Sequence, residues 1–362
     1  MILPRLKSRP DSPPSPYLLP TVGLLTVLGV GLAFCTAAAL SVGSLEPRKV
    51  EDALATRKPA IQAANALRYR LLRTAPDAVV LGSGGWLYLS QELRPIPGWQ
   101  GHLERRAEAV AALEGALRAR GTRLVVVVVP AKARIHPESL PGLGLPEQLQ
   151  GGLEDFLSRL GARGVPAVRL TQPLSAAAAQ APVFYKTDTH WNQSGAEIGA
   201  QAVARTVLAL GLSLPETQFR SRPAGPPAER VGDLINLMGL ADLPAGWRPE
   251  GDLEAPLQVE TVSAANQGLL GGSEPEVVLV GTSYSLRGNF QGFLQEALRS
   301  PVLNLAQEGS GFAGSMNRFL PQLASLSPAP KVVVWEFSER FLYLPLEEHL
   351  PSLAHLSPTV KE

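Results

Sequence analysis

Asp188 and His190 stand two residues apart in the stretch FYKTDTHWNQSGAE, residues 184–197. In an extended chain residues i and i+2 face the same way, so the carboxylate can orient the imidazole and hold the tautomer that accepts a proton. Such a pair lacks only a nucleophile. EVVLVGTSYS, residues 276–285, offers one: an apolar run ends at Gly281, and Ser283 occupies the turn that follows. A tight strand–turn–helix presents a serine hydroxyl and its own N–H to a cleft. Taken singly, each motif is weak, since serines after strands are mostly turn residues or caps and most Asp-x-His pairs lie in solvated loops. Together they supply the three parts of an acyl-transfer triad: Ser283 as nucleophile, His190 as general base and Asp188 orienting it. Ser285 is the rival nucleophile. The other histidines, His102, His136, His349 and His355, read as surface or packing residues.

Bulk composition is compatible with that chemistry and excludes several others. The 362 residues are 45% apolar, enough for a sizeable core. With 33 basic and 32 acidic residues the net charge is +1, so no overall field draws the protein to nucleic acid. One cysteine and five histidines form neither CxxC nor HExxH, which argues against a metal site and against a disulfide framework. No cofactor is implied.

The positioning elements alternate. A helical pattern in GHLERRAEAVAALEGALRARG precedes the β-branched run RLVVVVVP; PEQLQGGLEDFLSRLGARG precedes VPAVRL; EVVLVG, FQGFLQEAL, PVLNLA, AGSMNRFLPQLAS and KVVVWEF follow in the C-terminal half. Unbroken valine runs suit central strands of a parallel sheet covered on both faces, and the alternation predicts an α/β sandwich. AVVLGSGGWLYL reads as a first strand region. Ser194 and Glu197 form an S-x-x-E capping box, so Ser194 is the expected cap of the helix after His190. Residues 213–272, rich in Pro and Gly, read as an insertion in which only VGDLINLMGL is ordered.

Tyr17 to Val42 carries no charge and is preceded by Arg5, Lys7 and Arg9. That length and flank predict a transmembrane signal anchor, with the bulk of the chain across the membrane in the periplasm or otherwise outside the cytoplasm. Cleavage after Ala37–Ala39, or lipidation at LAFC, are weaker alternatives. The expected divisions are a basic tail (1–16), the anchor (17–42), a juxtamembrane helix (43–77), one catalytic domain (78–345) and a short tail (346–362).

In order along residues 78–342, GWLYL, VVPAKARIHPE, YKTDTHWNQSGA, GDLINL, VGTSYS and VVWEFSERFL resemble the periplasmic SGNH-hydrolase-like acetyltransferases of alginate O-acetylation, the AlgJ/AlgX group. The resemblance implies an SGNH-hydrolase-like three-layer α/β/α fold with a mainly parallel sheet. It also implies a serine O-acetyltransferase acting on an exported polysaccharide, with a polytopic membrane O-acyltransferase as acetyl donor. An esterase that removes acetyl groups, and a non-catalytic polysaccharide-binding scaffold, are the competing readings. Two features depart from the wider SGNH pattern: Thr282 stands where G-D-S has its acid, and no G-x-N-D block supplies an oxyanion-hole asparagine. Gly309 or Gly311 and the Ser283 N–H are the expected oxyanion donors. Arg287 and Asn289 are candidates for contacting the donor or an anionic sugar, and Tyr185, Trp191 and Trp335 for stacking on sugar rings.

Overall fold

The computed structural model describes residues 36–37, 57–140, 142, 144–264, 274–345 and 350–356. Two compact units divide the chain, Met1–Ala64 and Asn65–Glu362; the second carries every strand described below. In chain order the strands are β1 (Val79–Leu81), β2 (Leu87–Leu89), β3 (Arg123–Val129), β4 (Ala167–Val168), β5 (Thr217–Pro223), β6 (Ala228–Arg230), β7 (Asp252–Glu254), β8 (Leu257–Ala264), β9 (Val277–Val280), β10 (Val302–Asn304) and β11 (Val332–Ser338).

Five of them form one parallel sheet in the order β10-β9-β11-β3-β4. All seven residues of β11 are buried, as are six of the seven in β3, which is why both read as unbroken hydrophobic runs. Helices Trp99–Arg118 and Glu147–Ala162 pack as one pair, and Gln193–Leu208 and Phe290–Leu298 as another; both pairs reach the sheet. The fold is α/β with a parallel central sheet, as the alternation predicts.

AVVLGSGGWLYL holds two short strands: β1 and β2 pair antiparallel as a hairpin separate from the central sheet, because the glycine-rich turn reverses the chain between them. Two local expectations are corrected. The cap of the Gln193–Leu208 helix is Asn192, whose side chain accepts from the Gly195 N–H at 3.0 Å, while Ser194 is exposed inside the first turn. Residues 213–264 of the expected insertion are more ordered than their proline content suggests, and 265–272 lie outside the described residues. In them β5 pairs with β8 and β6 with β7, both antiparallel, and the short helix Asp233–Leu237 lies between the two hairpin arms in sequence. The period-2 pattern of β5, TQFRSRP, buries Thr217 and leaves Gln218, Arg220 and Arg222 exposed, so one face carries the packing. Leu234, Ile235, Met238 and Leu240 bury themselves against Val79 and Leu87, forming a second small core beneath the hairpin.

The membrane-anchor expectation is also corrected. Among the described residues no helix is long and apolar enough to cross a membrane. Of the expected span 17–42, all but Thr36 and Ala37 lie outside the described residues, as does the tail from 357. Within the expected juxtamembrane segment a helix runs over Arg57–Leu67, and residues 43–56 lie outside the described residues.

Candidate active site

Strand β9 is buried throughout and ends at Gly281, from which the chain turns into a 3₁₀ turn at Ser283–Leu286. The turn is seated on a carboxylate from the neighbouring strand. Glu336 of β11, fully buried, accepts hydrogen bonds from the Thr282 N–H (2.8 Å) and hydroxyl (2.9 Å) and from the Ser285 N–H (3.2 Å) and hydroxyl (2.8 Å). Burial raises the pKa of Glu336, and these four donors oppose the rise. A Cβ at Gly281 would lie 2.5 Å from Ser285 Oγ and 2.6 Å from Glu336 Oε2, so this approach requires glycine. The acid absent from the middle of G-T-S thus has a counterpart one strand away. Ser285 is buried and its hydroxyl is committed to Glu336, whereas Ser283 is only partly buried.

The Ser283 hydroxyl lies 2.7 Å from His190 Nε2, and His190 Nδ1 lies 2.5 Å from Asp188 Oδ1. An ionised carboxylate only accepts, so Nδ1–H donates to Asp188 and Nε2 is left to accept from Ser283. Asp188 Oδ1 also accepts the His190 main-chain N–H at 2.9 Å; Oδ2 accepts from the Arg230 guanidinium at 2.8 Å and from the Asp233 N–H at 3.1 Å. Burial alone would raise the Asp188 carboxyl. The hydrogen bonds and charge of His190, with the charge of Arg230, outweigh it and hold the group well below the usual carboxylate range.

Residues 186–190 form no regular element, and charged side chains hold their main chain in place of a ladder. Asp252 of β7 accepts from the N–H groups of Lys186 (2.7 Å) and Thr187 (3.0 Å) and from the Thr187 hydroxyl (2.6 Å). Asp233 accepts from the Thr189 N–H (2.7 Å) and hydroxyl (2.5 Å). Burial and the neighbouring Asp188 charge raise the pKa of Asp233. On the carbonyl side, the Lys132 ammonium donates to Lys186 O (2.8 Å) and Asp188 O (3.0 Å), and the Tyr284 hydroxyl donates to Thr189 O (2.8 Å). Burial pushes the Lys132 pKa down to about 7, against the pull of Asp252 and Asp188. Gly232 lets the two segments meet, since a Cβ there would lie 2.0 Å from Thr187 O.

Ligand atoms of Asp188, His190 and Asp233 lie within 4.8 Å of one another. The Arg230 cation on Asp188 Oδ2 disfavours a divalent ion there, and the donors already filling both Asp188 oxygens suit a proton relay better.

The remaining expected site residues are placed as follows. Trp191 is fully buried, packs on Phe290 and Tyr284 and donates its ring N–H to Tyr284 O at 3.1 Å. Trp335 is buried against Phe312 and Phe337. Neither ring can stack on a sugar; the expectation is corrected because both are core. Tyr185 is also buried, its hydroxyl on Glu254 and its ring under the Arg230 guanidinium at 4.6 Å, which supports that arginine. Burial, then Glu254, raises the Tyr185 pKa. Arg287 is paired with Glu308. Asn289, at φ 60°, donates to the Ser221 hydroxyl at 2.7 Å and ties β5 to the Phe290–Leu298 helix. Gly309 and Gly311, both at positive φ, line a cavity of about 610 Å³ with Arg106, Phe312 and Phe341, and none of Asp188, His190 and Ser283 lines it. His136 is buried between Trp86 and Phe184, His102 and His355 lie away from the site, and His349 is outside the described residues.

Residues 79–339 match the family model described as SGNH hydrolase-like domain, acetyltransferase AlgX. The chain belongs to this AlgX acetyltransferase family. Among AlgX-family relatives, the probable alginate O-acetylase AlgJ of Pseudomonas putida is 36% identical over 293 residues, covering 79% of this chain and 75% of that one. AlgJ of Pseudomonas aeruginosa is 35% identical over 298 residues, with the same coverage. The solved O-acetyltransferase domain of Pseudomonas putida AlgJ superposes with a TM-score of 0.65 at 34% identity, covering 74% of this chain and 93% of that domain. The SGNH-hydrolase-like fold with its parallel central sheet is therefore the family fold.

Arg230, Asp233, Asp252, Lys132 and Glu336 escape a reading of the sequence as site residues. Three of them sit inside stretches that carry the family resemblance, Lys132 in VVPAKARIHPE, Asp233 in GDLINL and Glu336 in VVWEFSERFL. Arg230 and Asp252 lie in segments whose only visible signal is proline and glycine.

Proposed function

We propose that the protein is an O-acetyltransferase that carries an acetyl group on Ser283 and passes it to a hydroxyl of a polysaccharide, an alginate-like polymer being the leading candidate. The observation that carries this reading is the unbroken line from Asp188 through His190 to the Ser283 hydroxyl, 2.5 and 2.7 Å. As Ser283 Oγ attacks the acetyl carbonyl, its proton moves to His190 Nε2 while Nδ1–H stays on Asp188, whose charge stabilises the imidazolium. His190 then protonates the leaving group, and acetyl-Ser283 remains. In the second half, His190 takes the proton of a sugar hydroxyl, the sugar oxygen attacks the acyl carbon, and the serine oxygen leaves with that proton. Among the described residues no group accepts the Ser283 N–H, which leaves it free to stabilise the oxyanion. The donor in this reading is a polytopic membrane O-acyltransferase, the partner implied by the family resemblance.

The test uses 4-nitrophenyl acetate with and without oligosaccharides, followed by mass spectrometry. Acetyl-Ser283 and acetylated sugar are the expected products, and Ser283→Ala is expected to abolish both while Ser285→Ala retains the acyl-enzyme. Release of acetate alone, with no acetylated sugar from any acceptor, would make the protein an esterase. Undiminished polymer acetylation in cells carrying only Ser283→Ala would reduce it to a scaffold.

A further inference from the structure

Lys132 begins the short helix Lys132–Ile135 that follows β3. It is 1% exposed, among the most deeply buried charged side chains in the protein. Among the described residues no carboxylate forms an ion pair with it. Its ammonium instead donates to three main-chain carbonyls: Leu87 O at 2.7 Å, Lys186 O at 2.8 Å and Asp188 O at 3.0 Å. The rings of Trp86 and Tyr88 stand 5.1 and 5.2 Å from Nζ and close the cation in.

Burying an ammonium is expensive, and three donors meeting three carbonyls is the arrangement that offsets the cost. A methionine or leucine would fill the same space more cheaply, so the charge is there for the carbonyls it gathers. Two of the three belong to the irregular segment that ends in Asp188 and His190, and the third belongs to β2, whose Leu87 N–H also donates to Lys186 O at 2.8 Å. Lys132 therefore bolts the Asp188 peptide to the hairpin from the carbonyl side. Asp252 and Asp233 hold the same segment from the amide side. Removing the cation leaves Lys186 O with the Leu87 N–H alone and takes the charged donor from Asp188 O.

We infer that Lys132 is a positioning residue for the acyl-transfer site: its ammonium fixes the main chain at 186–188 so that the Asp188 carboxylate meets His190 and His190 meets Ser283. This rests on the reading of Ser283 as the acylated serine. The stretches GWLYL and VVPAKARIHPE, which hold no catalytic group, then share one task, building the cage for this cation.

The experiment uses the full chain with Cys35→Ser, so that Lys132→Cys leaves a single cysteine. That thiol is alkylated in denaturant, either with 2-bromoethylamine, which restores an ammonium at near-lysine length, or with iodoacetamide, which adds a neutral group, and the protein is refolded. The aminoethyl form is expected to acylate Ser283 from 4-nitrophenyl acetate within about threefold of the unmodified Lys132 protein. The neutral form is expected to be slower by about a hundredfold in kcat, the scale of an ångström-sized misplacement, with KM for the ester unchanged. Equal acylation rates in the two folded derivatives would overturn the inference. Should neither refold, Lys132→Met expressed directly serves instead, and wild-type kcat in that variant overturns the inference equally. If the Lys132 protein itself never acylates at Ser283, the reading of the site fails first, and the two failures are told apart.

Discussion

Replacing Glu336 with methionine removes the carboxylate under the Ser283 turn while keeping its volume. Four donors lose their acceptor, of which the Thr282 N–H is main chain and has no other, whereas the Ser285 N–H keeps Thr282 O at 3.1 Å. Leaving that one buried amide unpaired costs about 1–3 kcal/mol. The lower part of that range is expected, because the desolvation that raises the Glu336 pKa is relieved at the same time. Glu336→Gln should be far milder, since its carbonyl can sit at the Oε2 position facing both amides while its NH₂ faces the Thr282 hydroxyl, which can accept. Urea unfolding at constant slope measures the stability loss, and 4-nitrophenyl acetate reports Ser283 acylation on the same samples. We expect Glu336→Met to lower the urea midpoint clearly and to slow acylation more than tenfold, with Glu336→Gln near wild type in both. An unchanged midpoint together with an unchanged acylation rate in Glu336→Met would refute the role of this carboxylate as the seat of the turn.

Arg230→Gln takes a cation from Asp188 and should slow acylation about tenfold, equivalent to about 1.4 kcal/mol; a rate equal to wild type would mean the guanidinium only packs on Tyr185. Asp188, held below its ordinary pKa of 3.8, adds stability that is present above that value and lost as pH falls through the lower, folded one. The urea midpoint of Asp188→Asn should accordingly change less than wild type between neutral pH and pH near 3, and parallel curves would contradict the assignment. Asn192→Ala should cost about 1 kcal/mol as the loss of a helix cap, whereas Ser194→Ala should stay within about 0.5 kcal/mol, both by thermal melts.

Much of the sheet is legible because β3, β9 and β11 bury both faces and so cannot conceal their hydrophobicity behind an alternating pattern. The geometry joining Ser283 to His190 and Asp188 is foreshadowed by a different signal, polar residues at strand ends. What surrounds these three is not legible. Arg230 reaches Asp188 across 42 residues and Asp252 reaches Thr187 across 65, and no local spacing encodes contacts of that range. The cap is concealed because S-x-x-E matches the capping-box pattern while the asparagine two residues earlier makes the bond. Trp191 and Trp335 look like sugar platforms only until their burial is known.

The hydrogen bonds that assemble this site have another consequence, for the order of events in folding. His190 meets Ser283 over a separation of 93 residues, Lys132 meets Asp188 over 56, and Thr282 meets Glu336 over 54. No fragment of the chain that stops before β11 contains Glu336, and none that lacks β7 contains Asp252. Because loop closure must precede every one of these contacts, an emerging or refolding chain is expected to hold no half-built site in which the proposed acylation of Ser283 could occur. Competence arrives with the completed sheet, so the regain of acylation after dilution from denaturant should follow the slowest global folding phase, with no earlier burst.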